Sequence, residues 1–136
     1  MRNHANDANS TALVYKELSY KITGVCFKVH QSLGRFCREK QYCDQLEKEF
    51  TLAQLLYKRE YDLSNDKEDV ITGNIVDFLI ENKIVLDAKA KKFITKEDYF
   101  QMMRYLRIAN IKLGLIVNFR NTFLKPKRVL YSQYYS

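Results

Sequence analysis

Two short apolar runs, 73–80 (Gly-Asn-Ile-Val-Asp-Phe-Leu-Ile) and 84–89 (Ile-Val-Leu-Asp-Ala-Lys), carry ionisable residues where β-strands normally carry none. Both are rich in Ile, Val, Leu and Phe, and the residues Glu81-Asn82-Lys83 between them predict a hairpin. Strands of this composition are buried on at least one face. A carboxylate there must find a cation, hydrogen-bond donors or a metal to offset its desolvation. Alternation along the second strand puts Asp87 and Lys89 on one face and Ala88 on the other. A three-residue connection then sets Asp77 opposite Asp87. Two carboxylates converge beside one ammonium group, and the fold must accommodate them.

The flanking segments define that fold. Leu18, Ile22, Val25, Val29 and Leu33 recur at steps of three and four, which predicts a helix from about Leu13 to Leu33 ended by Gly34. A second helix is expected over Phe36 to Ala53, with Cys43, Leu46 and Phe50 on one stripe and Glu39 continuing it at the first turn, where a carboxylate could simply complement the helix N-terminus, although its place on the apolar side aims it inward. Leu55 to Leu63 reads as a strand and Ser64 to Asp69 as an acidic turn. Thr95-Lys96-Glu97-Asp98 looks like an N-cap, opening a helix to about Ala109 with Tyr99, Met102, Met103 and Leu106 as its core stripe. Leu113 to Phe119 is an apolar strand, and a shorter run near Arg128 to Tyr131 follows Pro126. The order α-α-β-β-β-α-β-β places helices around a mixed central sheet, an α/β (α+β) sandwich. Residues 1–12 are expected to be a polar disordered tail and 13–136 a single domain.

With 136 residues the chain can bury a sizeable core without disulfides. Cys26, Cys37 and Cys43 are odd in number and form no close ligand pair, so they read as reduced thiols of a cytoplasmic protein. Met1 to Ala12 does not resemble a secretion signal, and no apolar run approaches membrane-spanning length. The net charge of +7 is concentrated after Lys83, where only Asp87, Glu97 and Asp98 oppose the basic residues. Lys91, Lys92, Lys96, Arg104, Arg107 and Arg120 are therefore candidates for contacts to a nucleic-acid backbone. A solvated basic face would show the same charge.

Two aspartates and a backbone carbonyl, that of Ala88, suit a hard cation such as Mg²⁺ or Mn²⁺, with Glu39 as a supplementary ligand. Lys89 could position an attacking water or neutralise developing charge. A structural ion pair around Lys89 would use the same residues. Gln101 and Tyr105 stand one helical turn apart and could both face the site. His30 reads as a hydrogen-bonded structural histidine. Tyr131, Tyr134 and Tyr135 are expected to pack the tail against the sheet, or to stack on bases.

Asp77, nine intervening residues, then Asp87-Ala88-Lys89, preceded by a helical Glu39, resembles the PD-(D/E)XK nuclease superfamily. More narrowly, the chain resembles the small bacterial and archaeal GxxExxY proteins. The matching segments are Val29-His30-Gln31-Ser32-Leu33-Gly34, Glu39-Lys40-Gln41-Tyr42, Val76-Asp77, Asp87-Ala88-Lys89, Gln101-Met102-Met103-Arg104-Tyr105-Leu106, and the strand ending in Asn118-Phe119. Phe36 departs from the pattern, standing where the first motif glycine belongs. The resemblance implies a restriction-endonuclease-like fold and metal-dependent phosphodiester hydrolysis, with DNA favoured over RNA. Glu39, Asp77, Asp87, Lys89 and Gln101 would be the catalytic set. It leaves open a homodimer, common among nucleases that cut two strands, and a non-catalytic nucleic-acid-binding module on the same fold.

Overall fold

The computed structural model describes residues 14–64 and 73–133. The expected tail at 1–12, most of the acidic turn and Tyr134 and Tyr135 lie outside those residues. Helices α1 (Lys16–Leu33) and α2 (Glu39–Leu52) precede strands β1 (Tyr57–Asp62), β2 (Ile75–Ile80) and β3 (Ile84–Lys89). Helix α3 (Lys96–Ala109) then leads to β4 (Leu113–Asn118) and β5 (Lys127–Leu130). This is the restriction-endonuclease-like order expected from the sequence.

The five strands lie in the order β1-β2-β3-β4-β5, with β3 and β4 parallel and the other neighbours antiparallel. The parallel pair follows from the crossover, because α3 must carry the chain back before β4 can start. Helices α1 and α2 cover one face: Ile22, Cys26, Tyr42, Leu46 and Phe50 share a core with Phe78, Leu86, Ala88, Leu115 and Val117. Helix α3 covers the other, where Met102, Tyr105 and Leu106 pack with Leu79, Val85, Ile116 and Val129. The central strands are thus buried on both faces, which is why they read as nearly unbroken apolar runs.

Three local expectations are corrected. Helix α1 begins at Lys16, not Leu13, behind Tyr15 in the left-handed region. Helix α2 begins at Glu39, not Phe36, because residues 34–38 form an irregular connector. Gly34 enters it at φ 77°, and the Tyr42 hydroxyl holds it by donating to the Gly34 carbonyl at 2.6 Å and accepting from the Cys37 amide at 3.2 Å. In α3, Asp98 and Tyr105 are buried while Tyr99 is exposed, so the buried stripe is rotated from the one expected. Asp98 also closes a reciprocal capping box, its carboxylate accepting from the Thr95 amide at 2.8 Å.

Candidate active site

The hairpin between β2 and β3 is closed by Glu81 and Asn82, both at φ 54°, with the Lys83 amide donating to the Ile80 carbonyl at 2.9 Å. Phe78 pairs with Leu86, so the next step of the register brings Asp77 opposite Asp87. There side chains take over the ladder bonds. The Ala88 amide donates to Asp77 Oδ2 at 2.7 Å, and the Asp77 amide donates to Asp87 Oδ1 at 3.4 Å. Simple alternation also slips at this point, since Val76 and Leu79 both lie on the α3 side. Glu60, which stands between the residues paired with Phe78 and Val76 on β1, is at φ 51°. The kink across Glu60 and Asp77 and the shared register together bring the two carboxylates into one electrostatic neighbourhood, each on a backbone amide of the hairpin.

Asp87 is only 5 % exposed. Burial and then the Asp77 charge push its carboxyl up to about 6, against a smaller opposing pull from Lys89. Asp77, half-buried, is also raised, by burial first, with the Ala88 amide and Lys89 acting the other way. The Lys89 ammonium donates to Gln101 Oε1 at 3.1 Å and lies 3.9 Å from both Asp87 Oδ2 and Asp98 Oδ1. Helix α3 therefore presents Gln101 and Asp98 to Lys89, one helical turn apart. Asp98 is in turn ion-paired with Lys91. Burial of Asp98 opposes its charge, yet Lys91 and the Thr95 donors outweigh it and hold the carboxyl below its usual range.

Glu39 opens α2 and is exposed, a correction to the inward position expected for it. It still lies in the same field: partial desolvation and then Asp77 raise its carboxyl, while Lys89 and Lys91 oppose them. Tyr105 is 4 % exposed, and burial followed by the Asp87 charge pushes its hydroxyl up to about 12. Among the described residues no three His, Cys, Asp or Glu side chains gather closely enough to hold an ion. Asp77 and Asp87 are the acidic groups that could hold a cation, with the Ala88 carbonyl next in the chain. Their chemistry fits Mg²⁺ or Mn²⁺: hard oxygens, both carboxyls raised by burial, in need of positive charge.

The other candidates divide by placement. Lys92, Lys96, Arg104 and Arg107 are exposed, with Arg104 Nε also donating to Asn74 at 3.1 Å. Lys91 is held by Asp98, and its backbone exchanges hydrogen bonds with the Asn118 side chain at 3.1 and 2.7 Å. Arg120 is a brace, donating to the Arg35 carbonyl at 3.1 Å and the Ala90 carbonyl at 3.4 Å. His30 Nε2 lies 2.9 Å from the Asn121 carbonyl, the structural hydrogen bond expected of it. Sequence reasoning missed Asp98, which it read only as a helix cap, and Asn118, which it read only as the end of a strand. Asp98 meets Lys89 and Lys91 across the turn into α3, and Asn118 meets Lys91 from the neighbouring strand's end, contacts between elements that no periodicity within one element marks.

No helix among the described residues is long and apolar enough to cross a membrane. Comparison with curated proteins finds no match, and neither does comparison with solved structures. A family model does match, that of the PD-(D/E)XK nuclease superfamily, over residues 16–129. That span runs from the first residue of α1 into β5 and takes in Glu39, Asp77, Asp87, Lys89 and Gln101. The chain belongs to the PD-(D/E)XK nuclease superfamily.

Proposed function

We propose that the protein hydrolyses phosphodiester bonds in nucleic acid, DNA before RNA, with Mg²⁺ or Mn²⁺ held by Asp77, Asp87 and the Ala88 carbonyl and supplemented by Glu39. The observation that carries this reading is the opposed Asp77 and Asp87 pair with the Lys89 ammonium held beside it by Gln101 and Asp98. Buried like charges destabilise the folded chain, so their retention is better explained by a ligand than by stability. A bound divalent cation supplies Lewis acidity at a phosphoryl oxygen and a more acidic water.

The chain's own groups then have separate tasks. Asp77 is oriented by the Ala88 amide, so its carboxylate is already in place before substrate arrives. Lys89 offsets negative charge developing on the scissile phosphate, and its ammonium positions the attacking water by donating an N–H to the water oxygen. Gln101 and Asp98 keep that ammonium from collapsing onto Asp87. Water attacks phosphorus and gives up a proton to solvent, the bond from phosphorus to the leaving oxygen breaks, and that oxygen takes a proton from solvent, leaving one phosphate end and one hydroxyl end. Within the superfamily, Glu39-Lys40-Gln41-Tyr42 and the Gly34 connector support placement among the GxxExxY proteins. In this chain Gln41 accepts from the Arg38 amide at 2.8 Å, which caps the helix that Glu39 opens.

The test is incubation with labelled single-stranded, duplex and branched DNA and RNA, in Mg²⁺, Mn²⁺ or chelator, beside Asp87→Ala and Lys89→Ala. Metal-dependent cleavage lost in both variants is the expected result. Binding without cleavage on every substrate would replace the hydrolytic reading with that of a nucleic-acid-binding module.

A further inference from the structure

Around the loops that follow β3 and β4 lies an aromatic and cationic cluster that hydrolysis as such does not require. Phe36 sits in the 34–38 connector and is 75 % exposed. The Arg35 guanidinium lies 4.9 Å from its ring centroid and that of Arg120 lies 5.6 Å away. These arginines also clasp each other's backbone: Arg35 Nε donates to the Arg120 carbonyl at 2.8 Å, and Arg120 Nε donates to the Arg35 carbonyl at 3.1 Å. The connector is thereby fastened to the loop after β4, and through the Ala90 carbonyl to the loop after β3. Because β3 and β4 are parallel, both loops leave the same end of the sheet, where Lys89 and Asn118 end their strands. Phe93 and Phe123 rise from the same two loops, 75 % and 83 % exposed.

Three open phenylalanines on loops at one end of the sheet, among arginines and lysines, suit an occupant with both an apolar face and negative charge. Bases inside a duplex are stacked on one another and offer no free face, whereas an unpaired base can stack on an aromatic ring while its phosphates meet the flanking cations. Phe36 retains most of its surface despite the two guanidinium groups, so a face remains for such a base. Its anchoring on both loops makes it a rigid platform. We propose that Phe36, braced by Arg35 and Arg120, stacks an unpaired base, and that the site takes single-stranded nucleic acid or an unpaired segment of a duplex. The inference rests on the nucleolytic reading for the position of the scissile phosphate, while the stacking itself does not depend on turnover.

The experiment measures binding of short labelled DNA and RNA strands, and of duplexes of the same sequence, to the full chain by fluorescence anisotropy in chelator. Wild type is compared with Phe36→Ala and Phe36→Trp, each checked by its thermal melt. Wild type should prefer single strands, Phe36→Ala should weaken single-strand binding roughly tenfold and leave duplex binding unchanged, and Phe36→Trp should retain the preference. Unchanged single-strand affinity in Phe36→Ala, or equal loss on strand and duplex, would overturn the proposal. So would a loss of self-association in sedimentation with no change in binding, which would mark Phe36 as a contact between copies. Cleavage assays with Asp87→Ala keep the two readings apart. Asp87-dependent cutting with no role for Phe36 sinks only the stacking proposal, and Phe36-dependent binding without any cutting sinks only the nuclease.

Discussion

Asp87→Asn should make the metal-free protein more stable while abolishing cleavage. Asp87 is held at about 6 in the folded chain against an ordinary 3.8, and each pKa unit corresponds to about 1.36 kcal/mol. Ionised Asp87 therefore costs the folded state about 3 kcal/mol once the pH exceeds about 6, an upper figure since the asparagine must still bury its own amide. A net gain of about 1–3 kcal/mol is expected at pH 7.5, which for a chain of this size is roughly 3–10 °C in melting temperature. The folded carboxyl titrates above the unfolded one, so wild-type stability falls as pH rises from about 4 to about 6 and the full penalty applies above that. The gap between variant and wild type should accordingly close on acidification toward pH 4. Urea and thermal melts in chelator between pH 4 and 8 measure it. Adding Mn²⁺ should raise the wild-type melt and barely move that of the variant. A variant no more stable than wild type at pH 7.5 in chelator would refute the electrostatic account of the pair.

Lys89→Met should lower the cleavage rate by about two orders of magnitude or more while leaving the Mn²⁺-induced thermal shift in place, because it removes the cation and keeps both aspartates. Tyr42→Phe deletes the hydroxyl that joins the Gly34 carbonyl to the Cys37 amide but keeps the stack on Phe119 at 4.3 Å. Urea melts should show a loss of about 1–3 kcal/mol. A Cβ added at Gly114 would meet Met102 Sδ, and Met102 Cγ at 2.8 Å, where α3 packs on β4. Gly114→Ala should destabilise by about 1–3 kcal/mol, and a double variant with Met102→Ala should lose less than the sum of the two single changes.

Sequence alone determined the element order and the register of the central hairpin. Both are local matters: β2 and β3 are short apolar runs, and the three residues between them admit one pairing that keeps the apolar side chains inside. Asp77, Asp87 and Lys89 could be singled out for the same reason, since charge inside such runs is conspicuous, whereas Gln101 is marked by its one-turn spacing from Tyr105 on α3 and by the family resemblance. Boundaries were less legible. Residues 36–38 read as the first turn of a helix, yet the whole 34–38 connector is irregular, its backbone held by the Tyr42 hydroxyl and by Arg120. Only the tertiary structure decided that Asp98 turns inward to Lys89 and Lys91, that Arg120 braces loops instead of facing solvent, and that Glu39 stands open at the mouth of its helix. Each of these depends on contacts between elements, where a few ångströms of packing choose the partner, and periodicity along one strand or helix carries no information about that choice.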